Sequence, residues 1–416
     1  MSGRLRTIAA EQVLKDRRSP INAVTLGEAA EIVEDVRRRG EAAVREYGER
    51  FGDLEPGDQL VLDRDELMSV LDGIDPSARG LLDRTANRIR TFAEAQRSCL
   101  LDLEVAIPGG RAGHRWIPVA TAGAYAPGGR HPLPSSVLMT VIPGRVAEVE
   151  QLWVASPKPT PMTLAAAAIA GADGLLAVGG AQAIAALAFG SLSPPCDVVV
   201  GPGNRWVTAA KKHLVGEVGI DGLAGPSEIV IVADRAADPR LVAADLLAQA
   251  EHDPEALPIL VTDDPQLIRK VEDVVERELA SLSTAPVALV ALERGYSVVV
   301  ADLDQAVELC DAIAPEHLAL HIEEPETIAD RFSAYGSLFV GQASAEVLAD
   351  YGAGPNHVLP TGGGARFQSG LAVTTFLRSP TWMTISEPGV IAGDAEDLAR
   401  WEGLEAHARA AAERRR

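Results

Sequence analysis

QLWVASPKPTPMTLAAAAIAGADGLLAVGGAQAIAALAFGSLSPPCDVVVGPGN, residues 151–204, alternates two textures at a spacing that decides the fold. The apolar runs at 151–155, 174–178 and 197–200 have the length of buried strands. The alanine-rich runs at 162–170 and 181–189 have the length of helices. Each strand runs into a loop carrying Gly or Pro, and the last enters Gly201-Pro202-Gly203-Asn204. Strand, loop and helix repeated in this way build a mostly parallel sheet covered on both faces. The rhythm resumes downstream, with strands expected at 228–233, 257–261, 296–300 and 319–322 and helices at 239–251, 265–281 and 303–313. Two α/β units are therefore expected, with a boundary near residues 212–225.

Upstream, residues 28–47 read as a charged amphipathic helix in which Ile32, Val36 and Val44 recur at near-helical spacing, stopped at Gly48. A second helix is expected over 76–96, with a short strand at 59–62 between them. This region offers no obvious chemistry. Downstream, Pro380 and Pro388 precede an acidic, then arginine-ended stretch expected to form one helix over 395–415. The expected division is a helical N-terminal region at 1–115, a first α/β unit at 116–222, a second at 223–375 and a tail at 376–416.

The balance of charge narrows the function. The 59 Asp and Glu against 38 Lys and Arg give a formal charge of -21, and phosphate backbones need concentrated positive charge, so no nucleic-acid partner is expected. Cys99, Cys196 and Cys310 lie far apart with no CxxC pair, which fits a reducing compartment and excludes a thiolate metal site. The first ten residues lead into no apolar signal core, and the longest apolar stretch, 162–170, falls well short of the roughly 20 residues that span a bilayer. A soluble, cytoplasmic protein with no membrane partner is expected.

Chemistry-bearing residues gather at loops. No GxGxxG follows a strand; the glycine loops are Gly128-Gly129, Gly179-Gly180 and Gly201-Pro202-Gly203. Three such loops at strand ends point to a cleft. Gln182 and Asn204 follow two of them and either bond a nucleotide or cap and brace a helix. Gln249 and His252 are three apart, share a helix face and can grip one ion, where Glu251 points elsewhere; the alternative is a solvated helix end. Glu316 and His317 stand just before an apolar strand, where open sheets place reactive side chains. The histidine can accept a proton and the carboxylate can orient a water, unless they are a cap and a satisfied core histidine. Asp350 and His357 lie in the loop 349–361, whose Gly-Pro-Asn-His run no regular element requires. His407 lies in the final helical stretch with Glu402 five positions earlier. Zinc accepts histidine nitrogen and carboxylate oxygen, but spacing alone does not bring His252, Asp350 and His407 together. From the residues alone the reading stops at a two-unit α/β enzyme, its metal dependence open.

The same segments resemble the histidinol dehydrogenase family. They are YAPGGRHPLPSSVLM from Tyr125, VGGAQAIAALAFG from Val178, GPGNRWVTAAKK from Gly201, VGIDGLAGPSE from Val218, DLLAQAEHD from Asp245, APEHL from Ala314, DYGAGPNHVLPTGG from Asp350 and EGLEAHA from Glu402. Eight separated motifs in order, from about residue 28 to the C-terminus, are far more specific than one glycine loop. The resemblance implies an α/β fold of two incomplete Rossmann-like domains, with a helical N-terminal region and a C-terminal helical tail. It implies a homodimer whose sites are completed across the interface, one Zn2+ per subunit, and NAD as cofactor. The implied activity is two-step oxidation of L-histidinol to L-histidine through histidinaldehyde, at the end of histidine biosynthesis.

By position, the resemblance assigns Gln249, His252, Asp350 and His407 to zinc, the last from the partner subunit, and the same four with His317 to the substrate. Ser227, His357 and Glu402 become further substrate contacts, Tyr125, Gln182 and Asn204 NAD contacts, and Glu316 and His317 the acid–base pair. The chain departs from the family pattern at Ala349, Gly144 and Glu148, and at His131 near the expected pocket. Another small polar alcohol, such as a sulfonated diol, is therefore the alternative substrate. A non-catalytic nucleotide-binding protein is the alternative of another class, although it would have little use for so many ligand-type residues.

Overall fold

The computed structural model describes residues 5–13, 21–128 and 132–415; Gly129 of the first glycine loop and His131 lie outside them. Two six-stranded sheets form its centre. The first runs Gly219–Ile220, Val198–Val200, Thr121–Tyr125, Gln151–Ala155, Gly174–Leu176 and Val61–Asp63. Its pairings are parallel except that of Val61–Asp63, which is antiparallel. The second runs Arg6–Ile8, Tyr296–Val299, Leu257–Thr262, Glu228–Ala233, His317–His321 and Ser337–Val340, parallel throughout.

Both sheets are buried on two faces, which is why their strands read as unbroken apolar runs. Side chains of Ile229, Ile231 and Ala233 enter one core of the second sheet, while Val230 and Val232 enter the core on the other face. This is the period-two alternation of a strand, and each such valine or isoleucine contributes about 1.5–3 kcal/mol when fully buried. In the first unit, Pro161–Ala170 shows why a helix forms locally: Pro161 sits in its first turn, the Thr160 hydroxyl accepts the Thr163 N–H, and Gly171 ends it at φ 89°. Its alanines let it pack closely against the helices Arg64–Gly73 and Pro134–Val146.

Several features depart from the sequence reading. Arg6–Ile8 pairs with Tyr296–Val299 in the second sheet, away from the helical region expected over 1–115. The helices between residues 23 and 98 join the first unit, where Ala23–Arg39 packs on Gly180–Phe189 and Arg205–Leu214. Leu103–Ile107 and Gly110–His114, also within the region expected to be helical, are instead strands of a separate three-stranded antiparallel sheet. Next, Val358, Leu371, Val373, Phe376 and Leu377 return to the first unit's core, so the second unit does not run unbroken to 375; hydrophobicity marks these residues as core without saying whose.

The tail expected over 376–416 also begins within its own chain. Leu377–Arg378 pairs with Ile117–Pro118, and Thr381–Ile385 pairs with Gly110–His114. Its single expected helix is two, Gly389–Trp401 and Glu405–Ala412, interrupted where Gly403 takes φ 75°, a conformation glycine adopts without a Cβ clash. Lastly, Pro134–Val146 is a helix that the sequence pattern does not predict. Every residue from Ser136 to Gly144 is buried, and a helix buried all round has no amphipathic period to read. No helix among the described residues is long and apolar enough to cross a membrane.

Candidate active site

Glu228 and His317 open neighbouring parallel strands, with Ile229 in register with His317. They therefore lie at the amino-terminal edge of the second sheet, opposite to the carboxyl edge expected for reactive groups in an open sheet. The helix Pro239–His252 explains the placement. It returns along the sheet to that same edge, so its last turn delivers Gln249 and His252. The short helix Glu346–Asp350 adds Glu346 and Asp350 from one face, four residues apart.

His317 is 4% exposed, and oxygens surround its Nδ1. The carbonyl of Glu228 lies at 3.2 Å, Gln249 Oε1 at 3.3 Å, a Glu346 carboxylate oxygen at 3.3 Å and one of Glu316 at 3.8 Å. Acceptors on this side assign the ring proton to Nδ1 and leave Nε2 as the basic atom. Burial pushes the His317 pKa down to about 4, partly opposed by the Asp350 charge, so the imidazole is neutral at pH 7. Burial acts in the opposite sense on Glu316, holding its pKa well above the ordinary carboxylate range. The Glu228 N–H at 3.0 Å and the Ser227 hydroxyl donate to Glu316 and partly oppose that rise.

His252 and Asp350 approach to 3.8 Å, and ligand atoms of His252, Glu346 and Asp350 all lie within 4.8 Å of one another. His357 donates from Nδ1 to the Asp350 carbonyl at 3.1 Å and accepts at Nε2 from the Ser136 hydroxyl at 3.3 Å. Two buried atoms here, Gln249 Nε2 and Glu346 Oε2, have no hydrogen-bond partner. Orphaned buried polar atoms are costly. The Glu346 oxygen, beside the His252 imidazole and the Asp350 carboxylate, fits a cation that completes the cluster, and this oxygen and nitrogen donor set suits zinc. The Gln249 amide N–H can only donate and fits an acceptor. Glu346 was missed in the sequence; its signal was the four-residue spacing from Asp350. Glu402 and His407 are exposed, and no hydrogen bond or ion pair among the described residues joins them to this cluster within the chain.

Tyr125, Gln182 and Asn204 line a second feature, a cavity of ≈ 820 Å³ at the carboxyl edge of the first sheet. The Tyr125 hydroxyl accepts the Gly180 N–H at 3.3 Å, and burial pushes its pKa up to about 12. Gln182 is buried with Oε1 unpartnered, an acceptor facing no donor of its own chain. Asn204 is the helix cap that its position allowed: Oδ1 accepts the Trp206 and Val207 amides, which leaves its Nδ2 for a ligand. The opposite wall comes from the N-terminal helices, through Glu28, Glu31, Tyr47 and Arg50. That region had shown no chemistry because its contribution is a surface and not a motif.

Comparison with known proteins gives one consistent answer. The family model described as histidinol dehydrogenase matches residues 16–415. The chain is 45% identical to a histidinol dehydrogenase of Ruegeria pomeroyi over 396 residues, 93% of this chain and 90% of that one. It is 44% identical to one of Haloarcula marismortui over 401 residues, 94% of each. The crystal structure of a histidinol dehydrogenase from Elizabethkingia anophelis superposes with a TM-score of 0.91 at 30% identity, covering 99% of this chain and 98% of that one.

Proposed function

The chain belongs to the histidinol dehydrogenase family, and from that premise we infer that it oxidises L-histidinol to L-histidine in two successive NAD-dependent steps. The observation that carries the inference is His317: a buried, neutral imidazole whose Nδ1 is enclosed by acceptors, leaving Nε2 as a base. In the first step Nε2 takes the hydroxyl proton as hydride leaves the adjacent carbon. Tyr125, Gln182 and Asn204 would hold NAD, which would supply the hydride acceptor for both steps. Once His317 has released the first proton to solvent, Glu316 orients a water against the aldehyde carbon. In the second step the again-neutral His317 accepts a hydroxyl proton from the resulting hydrate as the second hydride leaves its carbon. Ser227 bonds Glu316 and His357 borders Asp350, so both stand where a bound substrate meets the reacting groups.

Gln249, His252 and Asp350 would hold a zinc ion, with Glu346 beside them, and His407 of a second copy would complete the set. Zinc, when bound, serves as a template that fixes the substrate's nitrogen donors. His252 at the carboxyl end of its helix suits a cation, because that end carries partial negative charge.

A homodimer is supported by what the tail leaves uncovered. Its two helices pack on each other and on residues 413–415, while Leu398, Leu404 and Trp401 remain exposed, the last at 83%. Val347, Leu348 and Tyr351 are exposed beside Glu346 and Asp350. Docking of the tail's apolar face near that patch in a second copy would bring Glu402 and His407 to the site. The three cysteines are unpaired, which supports a reducing, cytoplasmic setting. The test compares NADH formation with L-histidinol and with other polar alcohols, including a sulfonated diol; turnover confined to the sulfonated diol would replace the substrate and keep the machinery.

A further inference from the structure

Lys211 and Asp221 form an ion pair enclosed at both ends: Nζ lies 2.5 Å from Oδ1, with the side chains 3% and 5% exposed. Removing two charges from water is costly, and apolar residues of similar volume often hold a core as well. The pair is therefore best understood through what it grips, which is Gly201. Lys211 Nζ donates to the Gly201 carbonyl at 2.6 Å, and Asp221 Oδ2 accepts the Gly201 N–H at 2.6 Å. Asp221 Oδ1 also accepts the Gly222 N–H at 2.9 Å. Both backbone polar groups of one glycine are thus held by opposite ends of one ion pair.

Gly201 is where the turn needs such a grip. Its φ is 111°, and a Cβ there would lie 2.0 Å from the Tyr125 carbonyl oxygen. The turn that starts at Gly201 lies against the backbone of one cavity residue, Tyr125, and ends at another, Asn204. Lys211 projects from the helix that Asn204 caps, so the pair braces the turn and its helix together. Asp221 opens the crossing into the second unit. There Thr208 Oγ1 donates to the Ala224 carbonyl at 2.7 Å, and Ser227 and Glu228 follow at the catalytic edge.

We propose that Lys211 and Asp221 are positioning residues for the dinucleotide: they hold the Gly201–Asn204 turn in its binding shape before NAD arrives. Neither residue lines the cavity; they act through Gly201. The inference rests on the reading of that cavity as the NAD site. A turn ordered during folding does not have to be ordered at the binding step, so affinity for the dinucleotide rises without a new contact.

The test uses the full-length, metal-loaded protein and the double variant Lys211→Met with Asp221→Asn, which removes both charges and leaves none buried alone. NAD affinity by titration calorimetry should fall at least tenfold, with L-histidinol affinity and zinc content unchanged. A folded variant with unaltered NAD affinity, or an equal loss for both ligands, overturns the proposal. Amide hydrogen exchange on the unaltered protein decides it independently of how the variant folds. The Gly201 N–H should be strongly protected without NAD and unchanged by NAD; fast exchange that only NAD suppresses would mean that the ligand shapes the turn. If the unaltered protein binds no NAD, the cofactor reading fails, and Gly201 exchange still decides whether the clamp exists.

Discussion

Glu346 and His317 face each other at 3.3 Å, carboxylate oxygen to Nδ1, with both side chains about 5% exposed or less. The second Glu346 oxygen has no partner and belongs to a residue within ligand range of His252 and Asp350. One carboxylate therefore borders both the base and the metal cluster. Burial holds the Glu346 pKa well above the ordinary carboxylate range. Glu346→Gln keeps the shape and removes the carboxylate oxygen that a cation would draw into its ionised form, and loss of such a supporting group typically lowers metal affinity 10–100-fold. Zinc retention against a chelator should fall by that order, with NAD binding intact; retention equal to the unaltered protein would remove Glu346 from the metal's surroundings.

His317→Ala should lower turnover by about 10²–10⁴, the usual worth of a general base, with far smaller changes in NAD and L-histidinol affinity. Single-turnover kinetics beside equilibrium titrations separates the two. Affinity losses as large as the rate loss would make His317 a binding residue instead.

Glu316 sets a pH dependence. Burial raises its pKa, so its carboxylate form appears only as pH climbs through that raised value. Aldehyde oxidation, which needs a polarised water, should rise with pH over this range, and Glu316→Gln should flatten the rise while affecting alcohol oxidation less. Stability follows the opposite course. A raised native pKa stabilises the fold below the unfolded value near 4.5 and withdraws that contribution as pH rises through the native one. The Gln variant should therefore lose less stability than the unaltered protein on the alkaline side, measured by urea unfolding across pH.

Glu148 is exposed yet takes φ 67°, a left-handed conformation that strains a residue with a Cβ. Glu148→Gly should stabilise the fold by about 1 kcal/mol, the strain relieved outweighing the extra freedom of glycine in the unfolded chain. A lowered melting temperature would show that the turn is held by contacts of the Glu148 side chain. Gly144, in contrast, has its close neighbours in Leu152 and Phe376, which accounts for a residue no larger than glycine there.

Much of this was legible in the sequence, and the rest was hidden for identifiable reasons. Strands such as Glu228–Ala233 announce themselves because burial on both faces demands continuous apolar residues. The shared face of Gln249 and His252 follows from helical spacing alone. The helix Pro134–Val146 was illegible because burial all round erases its period, and Arg6–Ile8 is too short to reveal which sheet it extends. Glu346 looks like a solvated acid on a short helix until His317 is placed beside it. Lys211 and Asp221 show no pattern at all, since their meaning lies in both reaching Gly201.

The exposed tail predicts complementation. If His407 serves a second copy's site, His252→Ala and His407→Ala chains should each be nearly inactive alone. Random exchange makes half the dimers hybrid with one intact site of two, so about a quarter of sites should recover under two-fold symmetry. Verified exchange without recovery would mean that each tail serves its own chain.

The most direct measurement is the NADH yield from a limiting, known amount of L-histidinol with excess NAD, followed to its endpoint by absorbance. Conversion of the alcohol to the acid is a four-electron oxidation, so the account predicts two NADH per L-histidinol and L-histidine as the product. No NADH, or one per molecule with aldehyde accumulating, would contradict it.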